Sequence, residues 1–334
     1  MLKMNIDTLQ IVSLYLSIND QIKLCNLNKE YYENIYIYEL NNRKISDDVL
    51  KQNKFKYLKI LDSYNNNKIK NINHLVNLEE LNCGGNNSCI SDDNIKGLFK
   101  LKILNVNDNA KIKNIVHLVN LENLNCGFNC GVSDDNIKEL LKLKILYANN
   151  NDKIKNINHL INLEELYCGF NCGVSDDNIK ELLKLKLLYA GRNKKIKNIN
   201  HLINLEVLYC EGNCGVSDDN IKELYKLKKL YTEANEKIKN INHLVNLEEL
   251  DCEYECSISD DNIKGLLKLK ILYASDNNKI KNINHLINLE ELYCERHCGI
   301  SDDNIKGLLK LKNLVSWGNT KITIKIEELN TNVH

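Results

Sequence analysis

The chain has 334 residues with 45 basic and 45 acidic side chains, so its formal net charge is zero. Without a basic excess it lacks the electrostatic footprint that attracts nucleic acid, and we expect no nucleic-acid partner. No apolar run approaches the roughly 18 residues of a membrane span, and residues 1–7 lack the apolar core of a signal peptide. These features favour a cytoplasmic protein without a membrane partner.

The first 42 residues differ in kind from the rest of the chain. The spacing of their apolar residues predicts an amphipathic helix over Ile6–Leu16 and a second helix over the stretch that ends near Tyr32. Asn19 or Asp20 is expected to cap the second helix, because short polar side chains satisfy the first backbone N–H groups of a helix. Residues 1–42 therefore form a predicted helical head.

From residue 43 onward one pattern of about 42 residues recurs six times. Each copy reads N-I-x-H-L-x-N-L-E-x-L-x-C followed by S-D-D-N-I-K-x-L-x-K-L-K-x-L, with small departures. Its histidines are His74, His117, His159, His201, His243 and His285. Self-similarity at this period predicts a solenoid, in which each unit buries its apolar edge against its neighbours.

Each period divides into a long and a short unit. The long unit reads L-x-x-L-x-x-L-x-C-x-x-N, as at Leu118–Asn129, and the short unit reads L-x-x-L-x-x-L-x-A-x-x-N, as at Leu140–Asn151. The leucine pattern also begins once before the six copies, at Leu58, so the predicted number of strands is 13. The asparagines are expected to form a ladder that bonds buried backbone groups, with departures at Glu255 and His297.

The S-D-D-N segment of each long unit predicts a helix on the convex side. Ser133 is a suitable N-cap, and Asp134 and Asp135 lie where the helix dipole favours anions. The K-I-K-N-I segment of each short unit, as at Lys153–Ile157, predicts an extended or single-turn return instead.

These units resemble leucine-rich repeats. The long unit is similar to the cysteine-containing repeats of F-box proteins, and the short unit N-x-K-I-K-N-I-x-H-L-x-N-L is similar to internalin-type repeats. The resemblance covers residues 45 to about 325 and implies an α/β solenoid with a parallel sheet on its concave face. Residues 43–334 form this predicted domain, which a degenerate unit over Lys321–Leu329 is expected to close.

The head resembles an F-box, whose pattern is an apolar helix ending in Y-L, then D, then L-x-x-L-x-x-x-x-K-x-aromatic. It lacks the Leu-Pro at the start of that motif. Such heads on Asn/Lys-rich repeat chains resemble proteins of giant DNA viruses that infect amoebae, which implies a role in the host cytoplasm. The resemblance also implies a substrate-recognition subunit of a ubiquitin ligase, with a Skp-type adaptor bound by Leu9, Leu14, Leu16, Leu24 and Leu27. Alternatively the head only caps the first apolar edge of a stand-alone binding scaffold.

Two repeated side-chain types could suggest metals. Calcium needs six to eight converging oxygens, whereas the aspartate pairs, such as Asp134 and Asp135, follow a capping serine, so capping is favoured. Cysteine pairs such as Cys126 and Cys130 could suggest zinc, but the cysteines of neighbouring long units are two strands, or roughly 10 Å, apart. This distance favours thiol packing in a reduced compartment over zinc. No nucleophile–base motif or phosphate loop is present, so we predict no cofactor, no metal and no enzymatic activity.

The predicted binding surface is the solvent-facing side of the strands. One outward slot carries tyrosine in seven of eight consecutive strands, a residue enriched in binding hot spots. Carboxylates share or adjoin that slot in the later strands, so a basic segment of a partner protein would be complementary. The alternative is that the tyrosines only stabilise the sheet. The predicted site residues are Tyr147, Tyr167, Tyr189, Tyr209, Tyr231, Tyr273, Tyr293, Glu211, Glu233, Asp251, Glu253, Glu291 and Glu295.

Overall fold

The computed structural model describes residues 5–41 and 45–325. The chain divides into two compact units, Met1–Ile154 (unit 1) and Lys155–His334 (unit 2). The described residues confirm the predicted parallel-sheet solenoid, because within each unit every turn contributes one three-residue strand that pairs in parallel with its sequence neighbour. The predicted domain boundary at 42/43 and residues 326–329 of the predicted closing unit lie outside the described residues.

Unit 1 contains six parallel strands in sequence order. In each pairing the central residues of adjacent strands are aligned, as Leu40 is with Leu61. The strands are β1 (Glu39–Asn41), β2 (Ile60–Asp62), β3 (Glu80–Asn82), β4 (Ile103–Asn105), β5 (Asn123–Asn125) and β6 (Ile145–Tyr147).

Unit 2 contains eight further strands with the same register, so that like residues of successive repeats lie side by side. They are β7 (Glu165–Tyr167), β8 (Leu187–Tyr189), β9 (Val207–Tyr209), β10 (Lys229–Tyr231), β11 (Glu249–Asp251), β12 (Ile271–Tyr273), β13 (Glu291–Tyr293) and β14 (Asn313–Val315).

The core lies between each strand and the return segment of the same turn. The central leucine of each strand from β2 to β13 is at most 1% exposed, and the leucines that precede it by three and six residues in the repeats, such as Leu205 and Leu202 before Leu208, are buried as well. The strand residues on either side of it face solvent, since side chains alternate along a strand. This alternation gives each turn one outward-facing slot at its third strand residue.

The described residues contain fourteen strands, one more than the sequence predicts. The extra strand is β1, which comes from the segment assigned to the head and pairs with β2 through Glu39 to Asn41. Leu40 at its centre is 1% exposed, like the repeat leucines. The residues around it do not follow the repeat, so the pattern does not reveal this strand.

The helical head has three helices where the sequence predicts two: α1 (Ile6–Ser13), α2 (Ile18–Cys25) and α3 (Lys29–Asn34). The predicted caps Asn19 and Asp20 are wrong, because Ser17 is the N-cap of α2 and accepts the backbone N–H of Asp20. Asn28 caps α3 by accepting the N–H of Tyr31 at 2.8 Å, which divides the second predicted helix into two.

The predicted convex helices after S-D-D-N are single turns. Four of them are 3₁₀ turns of three residues. These single turns do not continue as helices, because the apolar residues that follow, such as Ile95, Leu98 and Leu101, are all buried at intervals of three. An α-helix of 3.6 residues per turn would rotate one of them out of the core. These turns are Asp92–Asn94, Asp176–Asn178, Asp218–Asn220 and Asp260–Asn262, and four-residue α turns occur at α4 (Asp47–Leu50), α5 (Asp134–Ile137) and α6 (Asp302–Ile305).

The asparagine ladder is present, but only the short units build it. Asn193 is 1% exposed, donates to the carbonyls of Cys168 at 2.7 Å and Val174 at 3.2 Å, and accepts the N–H of Lys195. In the long units the asparagine is exposed and the following cysteine is buried. The departures predicted at Glu255 and His297 therefore lie at exposed positions outside the ladder. The ladder asparagines are Asn66, Asn109, Asn151, Asn193, Asn235, Asn277 and Asn319.

Candidate binding surface

Unit 2 brings six of the predicted tyrosines together on the solvent-facing side of its sheet. Each is the third residue of its strand and follows a buried leucine, so the pleat directs its ring outward. All six are half-buried, because neighbouring rings cover one another. We call this set the tyrosine row: Tyr167, Tyr189, Tyr209, Tyr231, Tyr273 and Tyr293.

Adjacent rings of the tyrosine row stack on each other. The ring centroids of Tyr209 and Tyr231 are 4.1 Å apart with an interplanar angle of 2°, and those of Tyr273 and Tyr293 are 4.5 Å apart at 17°. Tyr189 is tilted by 43° against Tyr209 at 5.5 Å. Such contacts stabilise the sheet and also limit the freedom of each ring, so the row presents a rigid aromatic surface.

Several tyrosine hydroxyls of the row donate hydrogen bonds to carboxylates. Tyr231 donates a 2.5 Å hydrogen bond to Glu249, a side chain only 8% exposed that also forms a 2.7 Å salt bridge with Lys229. Tyr293 donates to the predicted site residue Glu291 at 3.0 Å. Burial and the hydrogen bond to Glu249 raise the pKa of Tyr231, so its hydroxyl stays protonated and keeps donating at neutral pH.

Four of the predicted carboxylates form one group, which we call the acid cluster: Glu211, Glu233, Asp251 and Glu253. Burial and the neighbouring carboxylates raise the pKa of Asp251 to about 7. Burial and the charge of Glu233 also raise the pKa of Glu211. Within the described part of the chain, none of the four forms a salt bridge. The cluster thus holds negative charges that repel one another, which a bound cation would relieve.

Asp251 also interrupts the tyrosine row. It occupies on β11 the slot that Tyr231 fills on β10 and Tyr273 fills on β12, and strands are spaced by about 4.8 Å. A short carboxylate thus lies where the row omits a ring, between two aromatic side chains. Planar guanidinium groups stack on aromatic faces and pair with carboxylates, so this position suits an arginine side chain.

Polar side chains outside the predicted site position several of these residues. Glu249 and Lys229 position Tyr231, and the charge of Arg192 partly offsets that of Glu211. Arg192 lies over the ring of Phe170, 5.8 Å from its centroid. Lys229 and Arg192 have no like residue in neighbouring repeats, and the recurrence of Glu249 at Glu165 and Glu291 does not show that it bonds Tyr231.

The predicted residue Tyr147 lies in unit 1, at the end of β6. The corresponding slot of β2 to β5 carries short polar side chains, and these bond the backbone of their own turn. Asn105, for example, accepts the N–H of Asn107 at 3.0 Å. Glu295, in the predicted site, is half-buried on the turn after β13, where its N–H contacts the Ser275 hydroxyl at 3.3 Å.

The aspartate pairs join neighbouring turns. Asp218 accepts the backbone N–H groups of Lys239 at 2.6 Å and Asn240 at 2.9 Å, one repeat unit further along, while Asp219 forms a 2.6 Å salt bridge with Lys222. Among the described residues, no group of three or more His, Cys, Asp or Glu side chains is arranged to hold a metal ion.

The repeated cysteines lie in the core except for Cys89, which is half-buried. Burial raises the pKa of Cys130 and of Cys214 to about 11, so both thiols are protonated at neutral pH and pack as small apolar groups. The repeated histidines contact the preceding turn, as His201 does through Nε2 at 3.1 Å from the carbonyl of Ile179.

The predicted adaptor-binding leucines of the head divide by burial. Leu9 is 8% exposed and packs inside unit 1, whereas Leu14 is 54% and Leu27 69% exposed. Leu16 and Leu24 are half-buried. The surrounding surface is also apolar, since Tyr15 is 87% exposed. No helix of the described residues is long and apolar enough to cross a membrane.

Comparison with known proteins gives structural matches only. No family model matches the chain, and no curated protein matches it. An internalin (inlF) of Listeria monocytogenes is 21% identical with a TM-score of 0.56, over 98% of this chain and 92% of its own. The functional domain of InlJ from the same species, described as including a cysteine ladder, is 22% identical with a TM-score of 0.56, over 77% of this chain and 57% of its own.

A leucine-rich repeat protein of Leptospira interrogans is 20% identical with a TM-score of 0.55, over 86% of each chain. At these identities the likeness concerns the fold. Together with the parallel ladders and buried leucines of both units, it shows that this chain has the leucine-rich repeat fold.

Proposed function

We propose that the chain is a non-catalytic protein-binding scaffold whose tyrosine row and acid cluster bind a basic segment of a partner protein. The observation that carries this proposal is the set of carboxylates without salt bridges around Asp251, enclosed by stacked tyrosines. Arginine suits this surface, because its guanidinium group pairs with carboxylates and stacks on aromatic rings. The leucine-rich repeat fold of the neighbours supports a binding role over catalysis.

A selection of random peptides displayed on phage against the full chain tests this proposal. We expect arginine and lysine to be enriched, and the affinity of a selected peptide for the Tyr209→Ser/Tyr231→Ser variant to fall at least about tenfold by fluorescence anisotropy. Tyr225→Ser is the matched control, because this tyrosine is exposed but lies outside the tyrosine row.

Selected peptides without basic residues, or unchanged binding to the double variant, would contradict the proposal. If the double variant instead melts much earlier and still binds when folded, the tyrosines serve the stability of the sheet alone. Thermal unfolding of each variant by circular dichroism distinguishes these outcomes.

We propose more specifically that the chain is a ubiquitin-ligase subunit whose head binds a Skp-type adaptor. The exposed apolar surface around Leu14, Tyr15 and Leu27 supports a partner at the head, since a helical cap alone does not require it. The F-box-like pattern of residues 1–42 supports a Skp-type adaptor as that partner.

Co-purification of the full chain with a eukaryotic Skp-type adaptor tests this role. We expect a stoichiometric complex that Leu14→Ser/Leu27→Ser abolishes without a change in melting temperature. Leu9→Ala is expected to destabilise unit 1, because Leu9 is buried. Absence of a complex with well-folded wild-type protein would reduce the head to a cap and leave the tyrosine face as the proposed binding surface.

A further inference from the structure

One slot of each turn places an exposed apolar side chain outside the core. In long units it lies between two fully buried leucines, as Leu183 does between Leu182 and Leu185. In unit 2 these side chains are 50–60% exposed, and we call them the apolar ridge: Ile161, Leu183, Ile203, Tyr225, Val245, Leu267, Ile287 and Leu309. Unit 1 has the same slot at Val76, Phe99, Val119 and Leu141.

The fold does not require apolar residues in this slot. The leucines on either side supply the core contacts, so a polar residue would serve equally well there and would avoid an exposed apolar surface. The side chain changes between isoleucine, leucine, valine and tyrosine, yet it stays apolar in all eight turns. A protein partner demands a complementary shape, whereas a fluid lipid phase demands only apolarity, so this variation favours lipid.

A column of lysines runs beside the apolar ridge: Lys184, Lys226, Lys268 and Lys310. Each ammonium group donates to a side-chain amide oxygen, as Lys268 does to Asn246 at 2.7 Å and Lys310 to Asn288 at 2.6 Å. Because an amide is neutral, this contact leaves the ammonium charge in place, and the glutamates that interact with these lysines, such as Glu248 near Lys268 and Glu290 near Lys310, pair with other lysines. None of these four lysines forms a salt bridge within the described residues, in contrast to Lys270, which pairs with Glu248 at 2.7 Å.

The positive charge is strongest along the last turns of unit 2. Two residues before the ridge slot, the earlier long units carry Glu181 and Glu223, which oppose the lysines of the same turns. The later long units carry Gly265 and Gly307 at that position. Lys268 and Lys310 therefore flank Leu267, Ile287 and Leu309 without an acidic residue at that position.

We propose that the apolar ridge of unit 2 binds the surface of a membrane that contains anionic lipid. The ridge side chains would enter the boundary between headgroups and acyl chains, and the lysine column would lie against acidic headgroups. Both contributions are needed, since one half-exposed side chain per turn gives weak binding by itself. This inference does not depend on the proposed role of the tyrosine row.

Co-sedimentation of the full chain with phosphatidylcholine vesicles, with and without phosphatidylserine, tests the proposal. We expect binding to the anionic vesicles that Leu267→Ser/Ile287→Ser/Leu309→Ser reduces at least about tenfold. Lys268→Gln/Lys310→Gln should reduce binding to anionic vesicles and make the remainder less sensitive to salt. Tyr254→Ser is the control, because this side chain is 43% exposed and lies outside the apolar ridge.

Two results would overturn the proposal, provided that circular dichroism shows every variant to be folded. One is a wild-type chain that does not sediment with the anionic vesicles, or a triple serine variant that sediments equally well. The other is a wild-type dimer in sedimentation equilibrium that the triple variant dissociates, which would assign the ridge to contacts between copies of this chain.

Discussion

The negative charge of Asp251, which the proposed binding requires, lowers the stability of the fold. Its pKa is raised to about 7, so between about pH 4 and 7 the folded state holds a proton that the unfolded state has released. The free energy of unfolding therefore falls as the pH rises through this window. A cation bound beside Asp251 would reverse this effect, because it favours the ionised carboxylate.

Asp251→Asn is therefore expected to stabilise the fold and to weaken binding. At about pH 8 the free energy of unfolding should rise by about 1–4 kcal/mol, the upper value being the full conversion of the pKa shift. Near pH 4 the two proteins should be equally stable. Urea unfolding across this pH range measures the effect, and equal stability at pH 8 would show that the carboxylate is not destabilised in the folded state.

Asn193 and Asn171 show what one residue type does in two environments. Both are the asparagine that ends a repeat unit, yet Asn193 is buried with two carbonyl acceptors and Asn171 is exposed. The spacing from strand to return segment is the same in both units, but the residue after the asparagine differs: Cys172 is buried in the long unit, whereas Lys194 is exposed in the short unit. The sequence predicts the ladder, but the residue that occupies the buried position of each turn decides which asparagines join it.

At the scale of elements, the S-D-D-N turns depend on contacts with the next turn. Ser217 and Asn220 form a capping box, in which the asparagine oxygen accepts both the N–H and the hydroxyl of the serine. Asp218 then accepts two N–H groups from the extended return of the following short unit. This bridge lets a three-residue turn replace a helix, since it satisfies backbone donors that lie outside any helix or ladder.

The two adjacent aspartates of such a turn should respond differently to mutation. Asp218→Ala should lower the free energy of unfolding by about 1–3 kcal/mol, because two N–H groups lose their acceptor. Asp219→Ala should leave it unchanged within error, because its salt bridge to Lys222 is exposed to solvent. Chemical denaturation of the two variants makes the comparison, and equal losses would show that Asp218 does not bridge the turns.

At the scale of the whole molecule, stability is expected to be the sum of turns and of contacts between neighbouring turns. Most strand pairs join segments only about 20 residues apart, as Leu208 on β9 and Leu230 on β10 do. A lesion in one turn should therefore act mainly on the turns next to it.

Leu208→Ala tests this expectation, because Leu208 is fully buried at the centre of β9. The free energy of unfolding should fall by roughly 2–5 kcal/mol. Hydrogen–deuterium exchange should accelerate most in β8, β9 and β10 and least in β13. An equal increase in every strand of unit 2 would show that the unit unfolds as one cooperative block.

The repeat pattern specifies the solenoid, its parallel strands and its core. Each repeat meets neighbours of its own kind, so a residue that recurs in every copy at the spacing of the strands, such as Leu208, has the same buried environment in every copy. The same reasoning places the tyrosines on the solvent-facing side of their strands, because the pleat alternates side chains. It predicts nothing beyond the repeat, and so β1 and the division of the head into three helices were not foreseen.

Which of these residues act together depends on the folded structure. The grouping of Asp251 with Glu211, Glu233 and Glu253 and the bond from Tyr231 to Glu249 join side chains of different turns, and Asp218 bonds backbone N–H groups of the next turn. The repeat spacing does not reveal these contacts, because they follow from three-dimensional proximity. A repeated sequence thus specifies the frame through its regularity, whereas the candidate site arises where neighbouring turns differ.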